Sequence, residues 1–143
     1  MIGLVLLAHG RLGDEFLNVL QTIVGPLENI ATVSFEAEKD LEAQTLKIEE
    51  KIKSVDGGQG VILVTDLFGG TPSNLAISFL SLQNVEVIAG MSLPMLLKLT
   101  SCRGLSLKEA VSKAKESAQQ SIHVPSSILR TEASLGPTIA PVA

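Results

Sequence analysis

One histidine, one aspartate and a glycine-rich turn are the residues of this sequence that suit group transfer. His9 follows the apolar run 2–8, and Asp66 follows the apolar run 61–65, with the turn Gly-Gly-Thr at 69–71 shortly after it. A carboxylate that accepts a hydrogen bond from one imidazole nitrogen fixes the tautomer and leaves the other nitrogen as a nucleophile. Glycines that lead into a helix leave backbone N–H groups free for an anion such as phosphate. If these features meet in space, His9 is a candidate nucleophile beside an anion site, with Asp66 as the group that orients it.

Alternating strands and helices must bring these features together. Apolar runs predict four strands, at 2–8, 29–35, 61–65 and 85–89. Helical spacing predicts helices that begin near 14, 38, 71, 92 and 106. The predicted fold class is therefore α/β: a doubly wound, mainly parallel four-stranded sheet in the order 2-1-3-4 with helices on both faces. In that order the first and third strands are neighbours at the switch point, so His9 and Asp66 face each other across one crevice.

Side chains that can cap helices mark where several of these helices begin. Asp14 is the predicted N-cap of the first helix, and Thr71 that of the third, with Pro72 in the first helical position. Ser92 is predicted to cap a short helix through residue 99, and Ser106 opens a capping box before the last helix. These caps place the glycine-rich turn at the entry to a helix.

The C-terminal part of the chain departs from this alternation. Residues 122–130 are predicted to add a fifth strand, and from residue 131 the sequence turns to Pro, Gly and small residues, typical of a frayed tail. We therefore predict one domain over residues 1–130, followed by a flexible C-terminal tail over 131–143.

Composition and charge exclude several classes of function. Hydrophobic residues make up 45% and charged residues 18% of the 143 residues, which is enough apolar material for one ordinary domain with a core. The net charge of −4 and the lack of a Lys/Arg run argue against nucleic acid as a partner. The apolar N-terminus lacks the basic region of a signal peptide, and no apolar run is long enough to span a bilayer. We expect a cytoplasmic protein that does not insert into the membrane.

His9, Asp66 and the glycine-rich turn could each have a purely structural role. Other kinds of functional site also have to be considered. A histidine at a strand end is often structural, and an aspartate there often caps a turn. Two histidines and one cysteine are too few for a metal site. The segment 90–94, Gly-Met-Ser-Leu-Pro, resembles the nucleophile elbow GxSxG of hydrolases. Pro94 replaces the last glycine of that motif and His9 precedes the serine, against the usual order, which favours Ser92 as a helix cap at the rim of the candidate site. Arg11, two residues after His9, is the second candidate rim residue, because it would add a positive charge.

Three segments together resemble a known family. They are Ala8-His9-Gly10 after the first strand, TDLFGGTPSN at 65–74 after the third, and VIAGMSLPML at 87–96 after the fourth. Over residues 1–122 the chain resembles the IIA domain of mannose-family sugar phosphotransferase systems. The early His-Gly pair combined with DLFGGTPSN makes this resemblance specific.

The resemblance implies a role for each matched position. His9 is the residue expected to be phosphorylated, with the small carrier protein HPr as donor, and Asp66 is expected to orient its ring. The phosphate-facing loop is expected to comprise Phe68, Gly69, Gly70 and Thr71. The chain is then expected to be a phosphotransferase component that passes the group to a IIB-type domain in sugar uptake, without a cofactor or a metal.

The same resemblance implies a homodimer in which a C-terminal strand, here 122–130, is exchanged between subunits. It leaves the acceptor open, because no IIB domain follows within these 143 residues. The alternative is a stand-alone regulatory module, in which the phosphorylation state of His9 controls binding to a partner protein. Because the donor is a protein, we expect an accessible crevice with an apolar rim, for which Leu12, Phe68 and Met91 are the candidates.

Overall fold

The chain folds as a parallel sheet with helices on both of its faces. The structure, a computed structural model, describes residues 1–36 and 40–135, without the side chains of 131–135. The strands are β1 (Gly3–His9), β2 (Ile30–Phe35), β3 (Val61–Thr65) and β4 (Val85–Ala89). The helices are α1 (Leu12–Val24), α2 (Leu41–Val55), α3 (Thr71–Ile77), α4 (Leu93–Ser101), α5 (Leu107–Gln120) and α6 (Pro125–Leu135), with a short 3-10 helix (Ser78–Ser81) after α3. None of these described helices is both long and apolar enough to cross a membrane.

The strand order confirms the predicted topology. The pairings are parallel, and the order across the sheet is β2-β1-β3-β4. The two central strands have consecutive buried residues because helices cover both of their faces, which is why their sequences are continuous apolar runs. Leu7 of β1 pairs with Thr65 of β3. His9 and Asp66 therefore emerge at the same edge of the sheet.

Each face of the sheet has its own apolar core. On one face, Leu20 of α1, Leu96 of α4 and Ala114 of α5 pack against the sheet. On the other face, Ile48 of α2 and Ala76 of α3 do the same. Side chains alternate between the two faces along a strand, so the last residue of β1 lies on the side of α2 and α3.

Two of the predicted helix caps are confirmed. The hydroxyls of Ser92 and Ser106 each accept a hydrogen bond from the backbone N–H three residues on, at 3.3 Å. The Asp40 carboxylate caps α2 by accepting a hydrogen bond at 3.0 Å from the N–H two residues on. The predicted start of α2 at residue 38 lies outside the described residues. A serine or aspartate just before a helical run therefore sets these helix starts.

The cap predicted at Asp14 is wrong, because a tertiary contact takes its carboxylate. α1 begins two residues earlier, at Leu12, and no side chain caps it. The Asp14 carboxylate instead accepts a hydrogen bond from the hydroxyl of Thr32 in β2. That contact ties α1 to the neighbouring strand.

The predicted fifth strand over 122–130 is wrong for the single chain, in which the segment 125–135 forms α6. Pro125 opens the helix, where its missing N–H does no harm. A strand needs a neighbouring edge for its backbone hydrogen bonds, whereas a helix satisfies them internally. The helix continues across the predicted domain boundary at residue 130. Residues 136–143 lie outside the described residues, so the flexible tail stays a prediction.

A buried arginine ties together the opposite edge of the sheet. Arg103, between α4 and α5, is only 6% exposed. It donates from Nε to the carbonyl oxygen of Ile2 and from Nη2 to that of Asn29, both at 2.7 Å. Burial lowers the pKa of its guanidinium. These bonds hold the start of β1 and the approach to β2 in place, far from the edge where His9 lies.

Candidate active site

His9 and Asp66 meet at the carboxyl edge of the sheet, as the strand order predicts. His9 is the last residue of β1, and Asp66 directly follows β3. Nδ1 of His9 lies 2.7 Å from Oδ2 of Asp66. The His9 side chain is 53% exposed, whereas that of Asp66 is 7% exposed. The imidazole is therefore accessible to a partner, while the carboxylate that orients it is shielded.

Asp66 also holds the backbone around the histidine. Its Oδ2 accepts a second hydrogen bond from the backbone N–H of His9, and its Oδ1 accepts one from the N–H of Leu67, both at 2.9 Å. Burial by itself would raise the pKa of Asp66, but these hydrogen bonds and the His9 ring outweigh it. The net effect holds the pKa of Asp66 below its ordinary value. The carboxylate is therefore ionised at neutral pH.

The contact with Asp66 determines which ring nitrogen of His9 can react. An ionised carboxylate has no proton to donate, so the 2.7 Å contact requires the hydrogen to be on Nδ1. In the neutral ring, Nε2 then carries the lone pair. Nε2 takes part in no hydrogen bond with the residues that the structure describes. Nε2 is therefore the ring nitrogen whose lone pair is available for nucleophilic attack.

The glycines of the loop 68–71 bring the backbone against the His9 ring. A Cβ atom at Gly70 would lie 3.1 Å from Cε1 and 3.7 Å from Nε2 of His9. Gly69 has a φ of +96°, a left-handed conformation that glycine adopts without strain. A larger residue at position 70 would push the loop or the ring away from this arrangement.

The N-cap predicted at Thr71 is wrong, because Gly70 occupies the cap position and Thr71 is the first residue of α3. No side chain caps this helix, so the Thr71 hydroxyl is not used in a cap. Thr71 lines a cavity together with His9. Within the described ranges, no hydrogen bond engages the backbone N–H of Gly70 or Thr71. Both groups are therefore available to an anion.

Exposed apolar side chains lie on the segments that directly follow His9 and Asp66. Phe68 is 76% exposed, Leu67 50% and Leu12 44%. The rim position predicted for Met91 is wrong: it is 8% exposed and packs in the core beneath α4. Its backbone N–H donates to the carbonyl oxygen of Thr65, which turns the chain inward after β4. Exposed apolar groups around a reactive residue are typical of a protein docking surface.

Arg11 and Ser92, the other predicted site residues, make contacts away from the His9 ring. Arg11 lies 3.8 Å from the carboxylate of Glu15, one turn along α1. Ser92 lines a separate cavity of about 570 Å³ beside β4, and the described hydrogen bonds include none between His9 and Ser92. The described residues therefore contain no Ser92–His9 pair of the kind that a serine hydrolase would need. The rim role of Arg11 and Ser92 stays a prediction. The described side chains include no group of three or more His, Cys, Asp or Glu that could hold a metal ion.

A cavity of about 600 Å³ opens beside His9 toward α2, and its lining includes Glu36 and Gln44, which no sequence motif marks. Gln44 is 2% exposed. Its Nε2 donates to the carbonyl oxygen of Ser34 at 3.3 Å, whereas its Oε1 is buried with no hydrogen-bond partner in the described part of the chain. The sequence signal that could have indicated the burial of Gln44 is its position four residues before Ile48, which puts both residues on the apolar face of α2.

Comparisons with known proteins show which family and which folds this chain is similar to. A family model described as the PTS system fructose IIA component, EIIA-man, matches residues 3–119. The fructose-specific EIIA component of the PTS of Bacillus subtilis (strain 168) is 31% identical over 126 residues, which cover 87% of this chain and 86% of that protein. The mannose-specific EIIAB component of Escherichia coli (strain K12) is 27% identical over 124 residues, which cover 85% of this chain and 38% of that protein. Among solved structures, the mannose/sorbose-specific IIA subunit from Enterococcus faecalis matches with a TM-score of 0.77 at 28% identity, over 86% of this chain and 93% of that one.

Proposed function

Because the chain belongs to the EIIA-man family of phosphotransferase-system IIA components, we propose that His9 is its phosphorylated residue. The protein is a phosphocarrier of sugar uptake that accepts a phosphoryl group on Nε2 of His9 from phosphorylated HPr. It then passes the group to a IIB-type domain. The observation that carries the proposal is the 2.7 Å contact between Nδ1 of His9 and Oδ2 of Asp66, which leaves Nε2 as the reactive nitrogen of a half-exposed ring.

Loading and unloading are two displacements at phosphorus. In loading, the lone pair of Nε2 attacks phosphorus, and the bond from phosphorus to the donor breaks with its electron pair returning to the donor. The phosphorylated His9 ring keeps its hydrogen on Nδ1 and is a cation, which the Asp66 carboxylate stabilises through a charge-assisted hydrogen bond. In unloading, the acceptor attacks phosphorus, and the electron pair of the bond to Nε2 returns to a neutral imidazole.

The glycine-rich loop supplies donors for the phosphoryl oxygens. The loop approaches the His9 ring at Gly70, and Thr71 lines a cavity with His9. We therefore assign the backbone N–H groups of Gly70 and Thr71 and the Thr71 hydroxyl as the donors to the phosphoryl oxygens. Gly69 gives the loop its turn, and Phe68 projects outward from it. α3 has only seven residues, so these local donors contribute more than the dipole of the whole helix.

A protein donor and a protein acceptor suit this exposed site. HPr and the IIB domain must each reach Nε2 of His9, so we propose that they dock in turn on the apolar rim formed by Leu12, Leu67 and Phe68. The curated relatives are sugar-specific components by name, which favours uptake over the regulatory alternative. A cytoplasmic location and a homodimer belong to the same proposal, on the basis of the family resemblance.

Phosphorylation of the purified protein by phosphoenolpyruvate, Enzyme I and HPr, read by intact mass, tests this function. We expect the wild type to gain one acid-labile phosphoryl group, about 80 Da, and His9→Ala to gain none while keeping its circular dichroism spectrum. His123→Ala is the matched control, because it removes the other histidine of the chain, and it should load normally. A gain on His9→Ala, or no gain on folded wild type with active HPr, would contradict the proposal.

A further inference from the structure

The contact that activates the His9 ring lies entirely within this chain. Nδ1 of His9 lies 2.7 Å from Oδ2 of Asp66, which leaves the lone pair of the neutral ring on Nε2. The His9 side chain is 53% exposed, and the shielded Asp66 carboxylate covers Nδ1, so the exposed surface lies away from that nitrogen. A donor therefore has to supply the phosphoryl group, but no group that activates the nucleophile.

Two glycines leave space beside the ring for a small molecule. An added Cβ at Gly70 would lie 3.1 Å from Cε1 and 3.7 Å from Nε2 of His9, so the absence of a side chain there keeps the ring uncovered. At Gly10, directly after His9, an added Cβ would meet no heavy atom within 4 Å apart from its chain neighbours. His9 also lines a cavity of about 600 Å³. Small-molecule sites have volumes of about 300–1,000 Å³, so a donor of a few non-hydrogen atoms fits here.

The protonation of Asp66 determines which leaving groups the site favours. Asp66 is the described residue that is hydrogen-bonded to the His9 ring, and both of its oxygens are occupied by bonds from His9 and Leu67. The pKa of Asp66 lies below its ordinary value, because these hydrogen bonds outweigh the effect of burial, so the carboxylate has no proton to donate at neutral pH. An alkoxide leaving group needs a proton as it departs, whereas a carboxylate or an already protonated amine does not. The site therefore favours donors of the second kind.

We infer that His9 also accepts a phosphoryl group directly from small donors whose leaving group needs no added proton, namely phosphoramidates and acyl phosphates. The inference rests on the proposed function because it requires His9 to be the phosphorylated residue, but it does not require HPr. The lone pair of Nε2 forms a bond to phosphorus as the bond to the leaving group breaks, with its electron pair going to the leaving group. Phosphoramidate, protonated on nitrogen, releases ammonia, and an acyl phosphate releases a carboxylate. The His9 ring becomes a cation that keeps its hydrogen on Nδ1.

The second histidine of the chain is an internal reference for this reaction. His123 lies between α5 and α6 and is exposed, and within the described ranges its ring takes part in no hydrogen bond or ion pair. Phosphorylation turns either ring into a cation, and of the two rings it is that of His9 that has a carboxylate in contact. One hydrogen bond to a charged group corresponds to a factor of about 10 to 150 in rate. We therefore expect His9 to react at least about tenfold faster than His123.

Incubation of the purified protein with phosphoramidate or acetyl phosphate, without Enzyme I and HPr, tests the inference through the acid-labile mass gained over time. His123→Ala leaves His9 as the only histidine, and His9→Ala leaves His123. His123→Ala should load at least about tenfold faster than His9→Ala. Adding Asp66→Asn to His123→Ala should remove most of this difference, whereas adding Asp56→Asn, which changes a carboxylate directly after α2, should not. Glycerol phosphate at the same concentration should load neither variant.

The outcomes separate this inference from the proposed function. If phosphorylated HPr loads His9 but the two histidine variants react equally with the small donors, the phosphocarrier function stands and only the inference is overturned. If the small donors load His9 and HPr does not, the inference stands and HPr is wrong as the donor. If neither loads the folded protein, both fail. Equal loading by glycerol phosphate would also overturn the inference, because the site would then supply a proton to the leaving group.

Discussion

Asp66→Asn removes the negative charge beside His9 while keeping the size of the side chain. The carboxylate lies 2.7 Å from Nδ1 of His9 and also accepts the backbone N–H of the same residue at 2.9 Å. A hydrogen bond to a charged group contributes about 1.5–3 kcal/mol. The ring that attacks phosphorus is neutral and becomes a cation when Nε2 is phosphorylated. We therefore assign the energy of one charge-assisted hydrogen bond to the phosphorylated state. Loss of about 1.5–3 kcal/mol corresponds to loading that is about 10- to 150-fold slower.

Rapid-quench transfer from phosphorylated HPr at saturating concentration measures this effect without a contribution from docking. Asp56→Asn is the matched control, because Asp56 also accepts several hydrogen bonds but lies at the opposite edge of the sheet. Its carboxylate accepts from the backbone N–H of Gly58 and from the side-chain amide of Asn84, both at 2.8 Å. Asp56→Asn should therefore load at the wild-type rate.

A wild-type loading rate in folded Asp66→Asn would refute the role given to this carboxylate. A defect that disappears at saturating HPr would also refute it, because Asp66 would then act in docking. Equal slowing in Asp56→Asn would show that the effect comes from stability or net charge instead.

Three further changes test neighbouring parts of the molecule. Gly70→Ala places a Cβ 3.1 Å from Cε1 of His9 at an ordinary φ of −85°, so it should slow loading about tenfold with an unchanged melting temperature; unchanged loading would contradict the close approach. Because the pKa of Asp66 is lowered from 3.8, its stabilising contribution is present above that value and is lost as the pH falls through the lower folded-state pKa. The difference in unfolding free energy between wild type and Asp66→Asn, measured in urea, should therefore shrink below about pH 4, and a constant difference would contradict this. Arg103→Met removes the side-chain donor of the Ile2 carbonyl oxygen, whereas the Asn29 carbonyl oxygen keeps the backbone N–H of Leu4 as a donor. It should lower the unfolding free energy in urea by about 1–3 kcal/mol, without changing the loading rate of the folded protein; unaltered stability would contradict the role of Arg103.

The central strands and the meeting of His9 with Asp66 follow from local sequence. The apolar run 61–65 predicts a strand, and β3 occupies the same residues, because a strand buried on both faces needs only an unbroken apolar run. Right-handed crossovers then limit the strand order to a few possibilities. In the observed order, the residues that end β1 and follow β3 must be neighbours.

The features that local sequence did not predict depend on contacts distant along the chain. Asp14 has the residue type of an N-cap, but the hydroxyl of Thr32 takes its carboxylate. Glu36 and Gln44 belong to no motif, and only the approach of α2 to the end of β1 places them beside His9. The run 122–130 is too short for periodicity to distinguish strand from helix, and it needs a partner edge to form a strand.

The most direct test of the central claim is to identify which nitrogen of His9 carries the phosphoryl group. Proton–nitrogen correlation spectra of the loaded protein, labelled at histidine, distinguish the two ring nitrogens, and nitrogen–phosphorus coupling identifies the bonded one. We predict phosphorus on Nε2 of His9, with Nδ1 still protonated beside Asp66. Phosphorus on Nδ1, or on any residue other than His9, would contradict the proposed mechanism.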